Sequence, residues 1–449
     1  MILYLHPPMN ETSCDYPLIP AGIPGLLNLI ADGGVEGINI PLEMMIQNNF
    51  SISSCLERKE VDMVFIDLHW YIHSYGALSC ADICKKIVPD CPVILGGITA
   101  SVFAREILEK YKSVDGIIYG DSEQALQELV AGTSKDDVSN FLYREHGAVK
   151  KSSKQYVISQ EEYNSLNFSD YSHLHHREFY MKTDLEGIHR ESVKSVWLEV
   201  GRGCVFDCSI CGGGTRAHAR IFGRNTPLYR SGEKIAEDMR ALNEQGVNRI
   251  AFTHDYALLP RKVRDTIEDT IVYEKIEMGI LNEFWVAPSR ETITRMCTVF
   301  EPTLSRFHIS CETGNERVRS LNFPGKNTNR EYIRAIEKID RHDVFCELFF
   351  SANLPFETRI TWGDTIKLLK KINTPESTHD YFCCAVTLDP LSPLWVDPSR
   401  YRVTLEMTEF ADYVDMCKQG KRSTGFTSGT LSEEDIYANL ESFQNYFEE

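Results

Sequence analysis

The chain has 449 residues, 43% hydrophobic and 25% charged, which suits a folded chain long enough for two or three domains and a large core. Its formal charge of −18 argues against broad nucleic-acid binding, which needs a basic footprint. No stretch reaches the ~18 apolar residues of a membrane helix, MILYLHPPMN lacks the basic start of a signal peptide, and the 14 cysteines are scattered, so a reduced, cytoplasmic chain is expected.

From Met1 to about Gly132, short apolar strands alternate with helical patterns. The strands are Ile2–Leu5, Gly37–Ile40, Val61–Ile66, Pro92–Leu95 and Val114–Tyr119, with a helix through Gly25–Ile30. This order predicts a doubly wound parallel sheet, whose ligands sit beyond the carboxyl ends of the strands. Gly96-Gly97 follows the fourth strand, with Thr99 and Ser101 nearby. Gly120-Asp121-Ser122-Glu123 follows the fifth. The stretch 133–194 is polar and mixed and reads as an interdomain linker. Its His173, His175 and His176 lack metal-ligand spacing and read as surface histidines.

Next, Val196–Val200 reads as a strand leading into GRGCVFDCSICGGG. Cys204, Cys208 and Cys211 are spaced C-x3-C-x2-C. Three thiolates without a fourth Cys or His nearby make a poor structural zinc site, which wants four protein ligands. They suit a 4Fe-4S cluster with one iron left open for a substrate or cofactor.

Further strands end at polar residues. Arg249–Phe252 ends at Thr253-His254-Asp255, Phe284–Val286 at Ala287-Pro288-Ser289, and Arg306–Ile309 at Ser310-Cys311-Glu312-Thr313-Gly314. Cys346–Phe350 ends at Ser351-Ala352-Asn353, and Tyr381–Val386 near Leu388-Asp389-Pro390. With the strand before Cys204 this predicts a partial (β/α)6 barrel over 195–389, with active residues at the carboxyl ends of its strands. The tail 390–449 reads as mostly helical, with helices over Glu406–Lys418 and Glu433–Phe447, a Ser432-x-x-Asp435 cap, and a role in closing the barrel.

The triplet, its flanking strand, Phe206 before Cys208 and the run Gly212-Gly213-Gly214 resemble the signature of the radical S-adenosylmethionine superfamily. The N-terminal third (1–132) resembles the cobalamin-binding domain that precedes the radical domain in one large branch of it. The resemblance implies a 4Fe-4S cluster on Cys204, Cys208 and Cys211, and S-adenosylmethionine near Gly212, Gly213, Glu312 and Arg317. It implies cobalamin near Gly96, Gly97, Thr99, Ser101, Gly120 and Glu123. Arg319 and Lys326 are further expected cations beside the nucleoside. Leu354-Pro355-Phe356-Glu357-Thr358 resembles the family's Leu-Pro-Gly-Glu-Thr turn, with Phe356 in place of Gly. Two departures stand out: Asp121 and Ser122 replace the usual Glu and Gly, and no D-x-H-x2-G motif is present. His69 and His73 remain open as cobalt ligands or as ordinary residues of the pocket edge.

The implied activity is cobalamin-dependent radical methyl transfer to an unactivated carbon of a small natural-product or peptide-derived substrate. His254 or Asp255 would face that substrate as acid–base groups. An external donor such as flavodoxin or ferredoxin would supply electrons, and no membrane or nucleic-acid partner is expected. Alternatives are a radical enzyme of the same architecture that oxidises, rearranges, cyclises or epimerises without methylating, and a non-catalytic cobalamin or iron–sulfur carrier or sensor.

Overall fold

A computed structural model describes residues 1–10, 17–47, 50–57, 59–182, 193–325, 327–374, 379–420 and 423–447. The chain divides into two compact units. One comprises Met1–Glu178, His218–Asn225 and Met407–Ser423, and the other Phe179–Ala217, Thr226–Glu406 and Thr424–Glu449.

The first unit is built on a seven-stranded sheet. Its strands are β1 (Ile2–His6), β2 (Val35–Asn39), β3 (Met63–Asp67), β4 (Val93–Gly96), β5 (Gly116–Ile118), β6 (Phe141–Glu145) and β7 (Ala148–Lys151), in the spatial order 2-1-3-4-5-6-7. β1 to β5 are parallel, as their order in sequence predicts. All five residues of β1 are buried, because helices cover both faces of a parallel sheet and favour unbroken apolar runs. The helix Ser74–Ile87 buries Ala77, Cys80, Ala81 and Cys84, so these thiols serve as small apolar groups. Gly76 is required in this helix, since an added Cβ would fall 1.8 Å from the Pro8 carbonyl oxygen.

The described part of the stretch 133–194 carries structure of its own. β6 and β7 add to the sheet as antiparallel strands. The segment beyond them returns to the opposite edge, where Gly37 donates to the His173 carbonyl at 2.7 Å and His175 donates to the Gly37 carbonyl at 2.9 Å. The histidines there are paired: His175 Nδ1 meets Glu43 at 3.0 Å and its Nε2 meets Glu36, while His176 meets Glu43 at 3.1 Å. The tail is split as well. The helix Phe410–Gln419 belongs to the first unit, with Phe410 against Phe103 and Tyr413 against Tyr71, both at 5.5 Å between ring centres.

The second unit holds a six-stranded parallel sheet of β8 (Ser195–Leu198), β11 (Arg249–Phe252), β12 (Gly279–Phe284), β13 (Arg306–Glu312), β14 (Phe345–Ser351) and β15 (Asp380–Cys384), paired in chain order. A short pair, β9 (Gly201–Arg202) with β10 (Leu228–Tyr229), interrupts the chain after β8. β8 and β15 form the two edges, as a partial barrel requires. β12 begins five residues before the apolar triplet that marks it in sequence, and runs through Asn282 and Glu283. Another short pair, β16 (Val403–Leu405) with β17 (Phe426–Ser428), lies in the tail.

The last helix, Glu433–Asn445, has the expected cap: Asp435 N–H donates to Ser432 Oγ at 3.2 Å in a full capping box. It joins the helical layer behind β14 and β15, where Asn439 donates to the Ala352 carbonyl at 3.0 Å and Phe443 packs 5.5 Å from Phe350.

Candidate functional site

The loop after β9 carries the three cysteines, and its own backbone donates to two of them. Phe206 N–H points to Cys204 Sγ and Gly213 N–H to Cys211 Sγ, each at 3.3 Å. Burial raises both thiols, and these donors offset part of that by favouring the thiolate, as donors to an iron–sulfur centre do. Cys204 and Cys208 are partly accessible and Cys211 is exposed, with no disulfide between them. Among the described residues no three His, Cys, Asp or Glu converge on a single-ion site. A four-iron cluster does not ask for that convergence, because each thiolate meets a different iron. The donor set and its access fit such a cluster.

The loop is pinned from several sides. Ser209 donates its N–H to the Asn322 carbonyl at 2.7 Å and its hydroxyl to Asn322 Oδ1 at 2.6 Å. Asn322 also donates to the Pro355 carbonyl at 2.9 Å, tying the loop to the turn after β14. Cys208 and Ile210 pack on Val318, Phe323 and Leu354. Phe206 lies over Gly325, where an added Cβ would fall 2.7 Å from the ring. Thr215 Oγ1 donates to the Cys204 carbonyl at 2.9 Å.

Gly212 and Gly213 differ in what they need. Gly212 donates to Asp389 Oδ2 at 2.7 Å, and an added Cβ would come within 2.2 Å of the Pro390 oxygen, so packing explains this glycine. Burial pushes the Asp389 carboxyl up to about 6. At Gly213 the nearest atom to an added Cβ is Cys211 Sγ at 3.6 Å, which leaves the backbone open to a ligand.

His254 and Asp255 sit at the end of β11, both buried. His254 Nε2 lies 2.6 Å from the Gly203 carbonyl, so Nε2 carries a proton and holds the residue before Cys204. Its ring also packs 5.5 Å from both Tyr229 and Trp285. Asp255 is fully enclosed and accepts from Ala257 N–H at 2.9 Å, Trp285 N–H at 3.1 Å and Asn282 at 3.3 Å. It therefore ties the ends of β11 and β12 together, and burial raises its carboxyl to about 7.

At the end of β13, Glu312 takes φ +64° beside a β-bulge, a conformation that a non-glycine residue holds only under constraint. Its Oε2 accepts from Ser351 Oγ at 2.6 Å. Behind it, Gly314 donates to Thr365 Oγ1 at 2.8 Å, and an added Cβ would meet the Asp364 oxygen at 2.2 Å. Glu357 is fully buried, and Thr313 Oγ1 donates to its Oε1 at 3.2 Å. Its Oε2 has no hydrogen-bond partner among the described residues, and burial raises the group to about 8. Phe356 has φ +69°, which accounts for the glycine usual in such turns.

Arg317 is exposed on its helix, whose buried side carries Val318, Arg319 and Asn322. Arg319 is the buried cation instead, and it is spent on the Cys311 and Asn327 carbonyls and Asn329 Oδ1, at 3.0, 3.0 and 2.8 Å. Lys326 lies outside the described residues.

In the first unit, Gly97 has φ +109°, and an added Cβ would sit 2.6 Å from the His69 nitrogen. Ser101 Oγ donates to the Gly97 carbonyl at 2.7 Å and accepts from Gly120 N–H at 3.1 Å, joining the two glycine turns. Gly120 has φ +70°. Gly96 is unhindered, with nothing closer than 4.0 Å to an added Cβ. Thr99 is buried and donates to the His69 carbonyl at 3.0 Å, so it supports the turn from behind. Glu123 is buried at the start of its helix. The departure at Asp121 has a structural reason: its enclosed carboxylate takes two hydrogen bonds from Arg224, at 2.5 and 3.1 Å, and one from Ile158 N–H at 3.0 Å.

Sequence reasoning missed Asn322, an ordinary helix residue until the fold brings the loop over it, and it offered Arg319 only as a cation for the nucleoside, not as a brace of its own backbone. It also missed the inward row of the second sheet. Side chains alternate along a strand, and His308, Ser310 and Glu312 share the face of β13 opposite the buried Phe307, Ile309 and Cys311. Glu283, Phe349 and Phe382 lie on that face of the neighbouring strands.

Residues 198–369 match the model of the Radical SAM superfamily. An uncharacterized methyltransferase of Pyrococcus horikoshii is 23% identical over 310 residues, covering 67% of this chain and 62% of its own length, so the chain spans about three fifths of that relative. The radical S-adenosylmethionine methyltransferase TsrM from Kitasatospora setae, solved with cobalamin and a 4Fe-4S cluster bound, superposes with a TM-score of 0.73 at 13% identity, over 98% of this chain and 90% of that one. The cobalamin-dependent S-adenosylmethionine radical enzyme OxsB, solved with aqua-cobalamin, gives a TM-score of 0.66 at 13% identity, over 99% and 66%. These likenesses establish the fold.

Proposed function

For a chain that carries a radical SAM domain over residues 198–369, we propose a cobalamin-dependent radical S-adenosylmethionine methyltransferase acting on a carbon of a small natural-product or peptide-derived substrate. The observation that carries this reading is the cysteine loop, with three accessible thiols, two of them receiving backbone N–H donors. When bound, the cluster, S-adenosylmethionine and cobalamin would supply an electron, a primary carbon radical and a methyl group.

The chain's part is to hold and shield these groups. Cys204, Cys208 and Cys211 hold the cluster, and His254 keeps Gly203 in place beside it. Gly213 leaves backbone free for the amino-acid end of S-adenosylmethionine, and Glu312 faces the same nucleoside from the end of β13. Gly212 and Asp389 fix the loop rather than touch the ligand. In the first unit the open backbone at Gly96, beside the forced turns at Gly97 and Gly120, seats the corrinoid, with Ser101 bracing the turns and Thr99 and Glu123 behind them. Asp255 and Arg317 have no direct part. An external low-potential donor such as flavodoxin or ferredoxin supplies the electron. A cytoplasmic setting suits such a loop, and among the described residues no helix is long and apolar enough to cross a membrane.

A second reading is the same radical entry without methyl transfer. It is favoured by the enclosure of Asp121 by Arg224, at a position where the cobalamin-binding branch has a different pair of residues. Anaerobic reconstitution with iron, sulfide and hydroxocobalamin, followed by product mass spectrometry with deuterated methyl donor, tests both. One labelled methyl per turnover is expected, and deoxyadenosine with a product of unchanged carbon count supports the second reading. Cys208→Ala should lose both the iron and the cleavage of S-adenosylmethionine; full iron content in that variant would refute the cluster assignment.

A further inference from the structure

The inward face of the second sheet carries a continuous row that none of the cofactor assignments uses. Glu283 on β12 is exposed there, and Ser310 on β13 donates to its Oε1 at 3.4 Å. Ser310 is in register with Phe349 on β14, and Phe349 with Phe382 on β15. The two phenyl rings stack, with centres 5.2 Å apart and planes 18° apart. Phe382 is 43% exposed, which is unusual for a large apolar residue inside a sheet's concave side. The opposite face of β15 is packed, since Tyr381 meets Phe447 at 4.9 Å. Phe382 therefore has its exposed surface toward the inside.

Below this row lies a closed floor. Arg306 and His308 both pair with Glu347, and His308 packs 5.3 Å from Phe349. The Arg306 cation is thus already matched by a carboxylate. What the row presents above its floor is a carboxylate, a hydroxyl and the faces of two aromatic rings. Aromatic faces attract cations through the negative potential of the ring, and a nearby carboxylate adds to that attraction.

We propose that this row is the substrate's seat and that it selects a substrate bearing a positively charged nitrogen next to a planar or apolar body. Glu283 meets the cationic nitrogen, and Phe349 and Phe382 flank the apolar part. Ser310 holds the carboxylate toward the rings. The assignment of the seat to a substrate rests on the radical chemistry proposed above. Substrate class by charge does not follow from that chemistry, which tolerates any carbon skeleton.

The test is equilibrium dialysis of the reconstituted chain under argon, saturated with S-adenosylmethionine, against tryptamine, indole and indole-3-acetate as cationic, neutral and anionic probes of one shape. Tryptamine should bind about 10-fold more tightly than indole-3-acetate, because the Glu283 carboxylate attracts the ammonium and repels the acetate. Glu283→Gln should bring the two within about 2-fold, and Phe382→Leu should weaken tryptamine and indole alike while leaving the charge preference. Circular dichroism identifies any variant that fails to fold, and either variant alone suffices to read the row. No retained tryptamine, an equal or anionic preference, or a preference unchanged in Glu283→Gln would overturn the proposal. So would tryptamine that binds only when S-adenosylmethionine is left out, because the row would then be the nucleoside's own seat. Binding is read without turnover, so a retained cationic preference beside failed methyl transfer counts against the proposed activity alone.

Discussion

Gly97 joins the end of β4 to the helix Ile98–Val102, and its backbone leaves no room for a side chain: φ is +109°, and an added Cβ would meet both the His69 backbone and the Leu68 carbonyl carbon within 2.7 Å. Gly96, one residue earlier, has open space instead. The pair thus combines a forced turn with an accessible backbone, as close approach to a large ligand requires. Gly97→Leu should abolish cobalt uptake while leaving iron content unchanged, because the cysteine loop belongs to the other unit. Metal analysis after anaerobic reconstitution checks this, and undiminished cobalt in the variant would mean that the turn is only a scaffold. The same scale separates two residues by their surroundings. Asp255 and Arg317 are of the types that catalysis and anion binding use, but one is turned inward onto three donors and the other outward to solvent.

At the scale of elements, the cysteine loop depends on the helix Glu316–Asn322. Asn322 is enclosed, and its side chain serves both Ser209 on the loop and Pro355 in the turn after β14. Asn322→Ala would leave a buried hydroxyl and a buried carbonyl without that partner, at a cost of about 2 kcal/mol. The expected outcome is a lower urea midpoint for the second unit and a cluster that is taken up but lost faster to a chelator. Unchanged chelation kinetics would show that the loop holds its shape without the helix. Elements also account for the readings of 133–194 and of the tail. β7 has mostly exposed residues, so it lacks the apolar run that marks the inner strands, and only its pairing with β6 identifies it. The helix Phe410–Gln419 buries Phe410, Tyr413, Met416 and Cys417, a periodic stripe that any apolar surface would accept, and its sequence does not say which unit supplies that surface.

At the scale of the whole molecule, acid should act first on the first unit. Burial lowers both His6 and His73 to about 3, and His6 Nδ1 donates to Asp67 at 2.9 Å, with ring centres of the two histidines 4.7 Å apart. Between their folded values and the ordinary 6.5, the unfolded chain takes up protons that the folded chain refuses, so stability is lost as pH falls. Asp67, raised by burial to about 6, acts in the opposite sense, but it is one group against two. Moving from pH 7 to pH 5 should cost the first unit roughly 2–3 kcal/mol, seen as faster hydrogen exchange in β1 and β3, and His73→Phe should flatten the dependence. Stability that is level or higher at pH 5 would refute this account. The sequence by itself determined the cysteine triplet, the parallel order of β1 to β5 and the six inner strands, because spacing and alternation are local properties written in consecutive residues. Only the tertiary structure decided that Asn322 braces the loop, that Asp121 is closed by Arg224, and that Glu283, Ser310, Phe349 and Phe382 form one row. Each of these depends on register between segments tens of residues apart, and a shift of one residue turns a strand side chain to the opposite face.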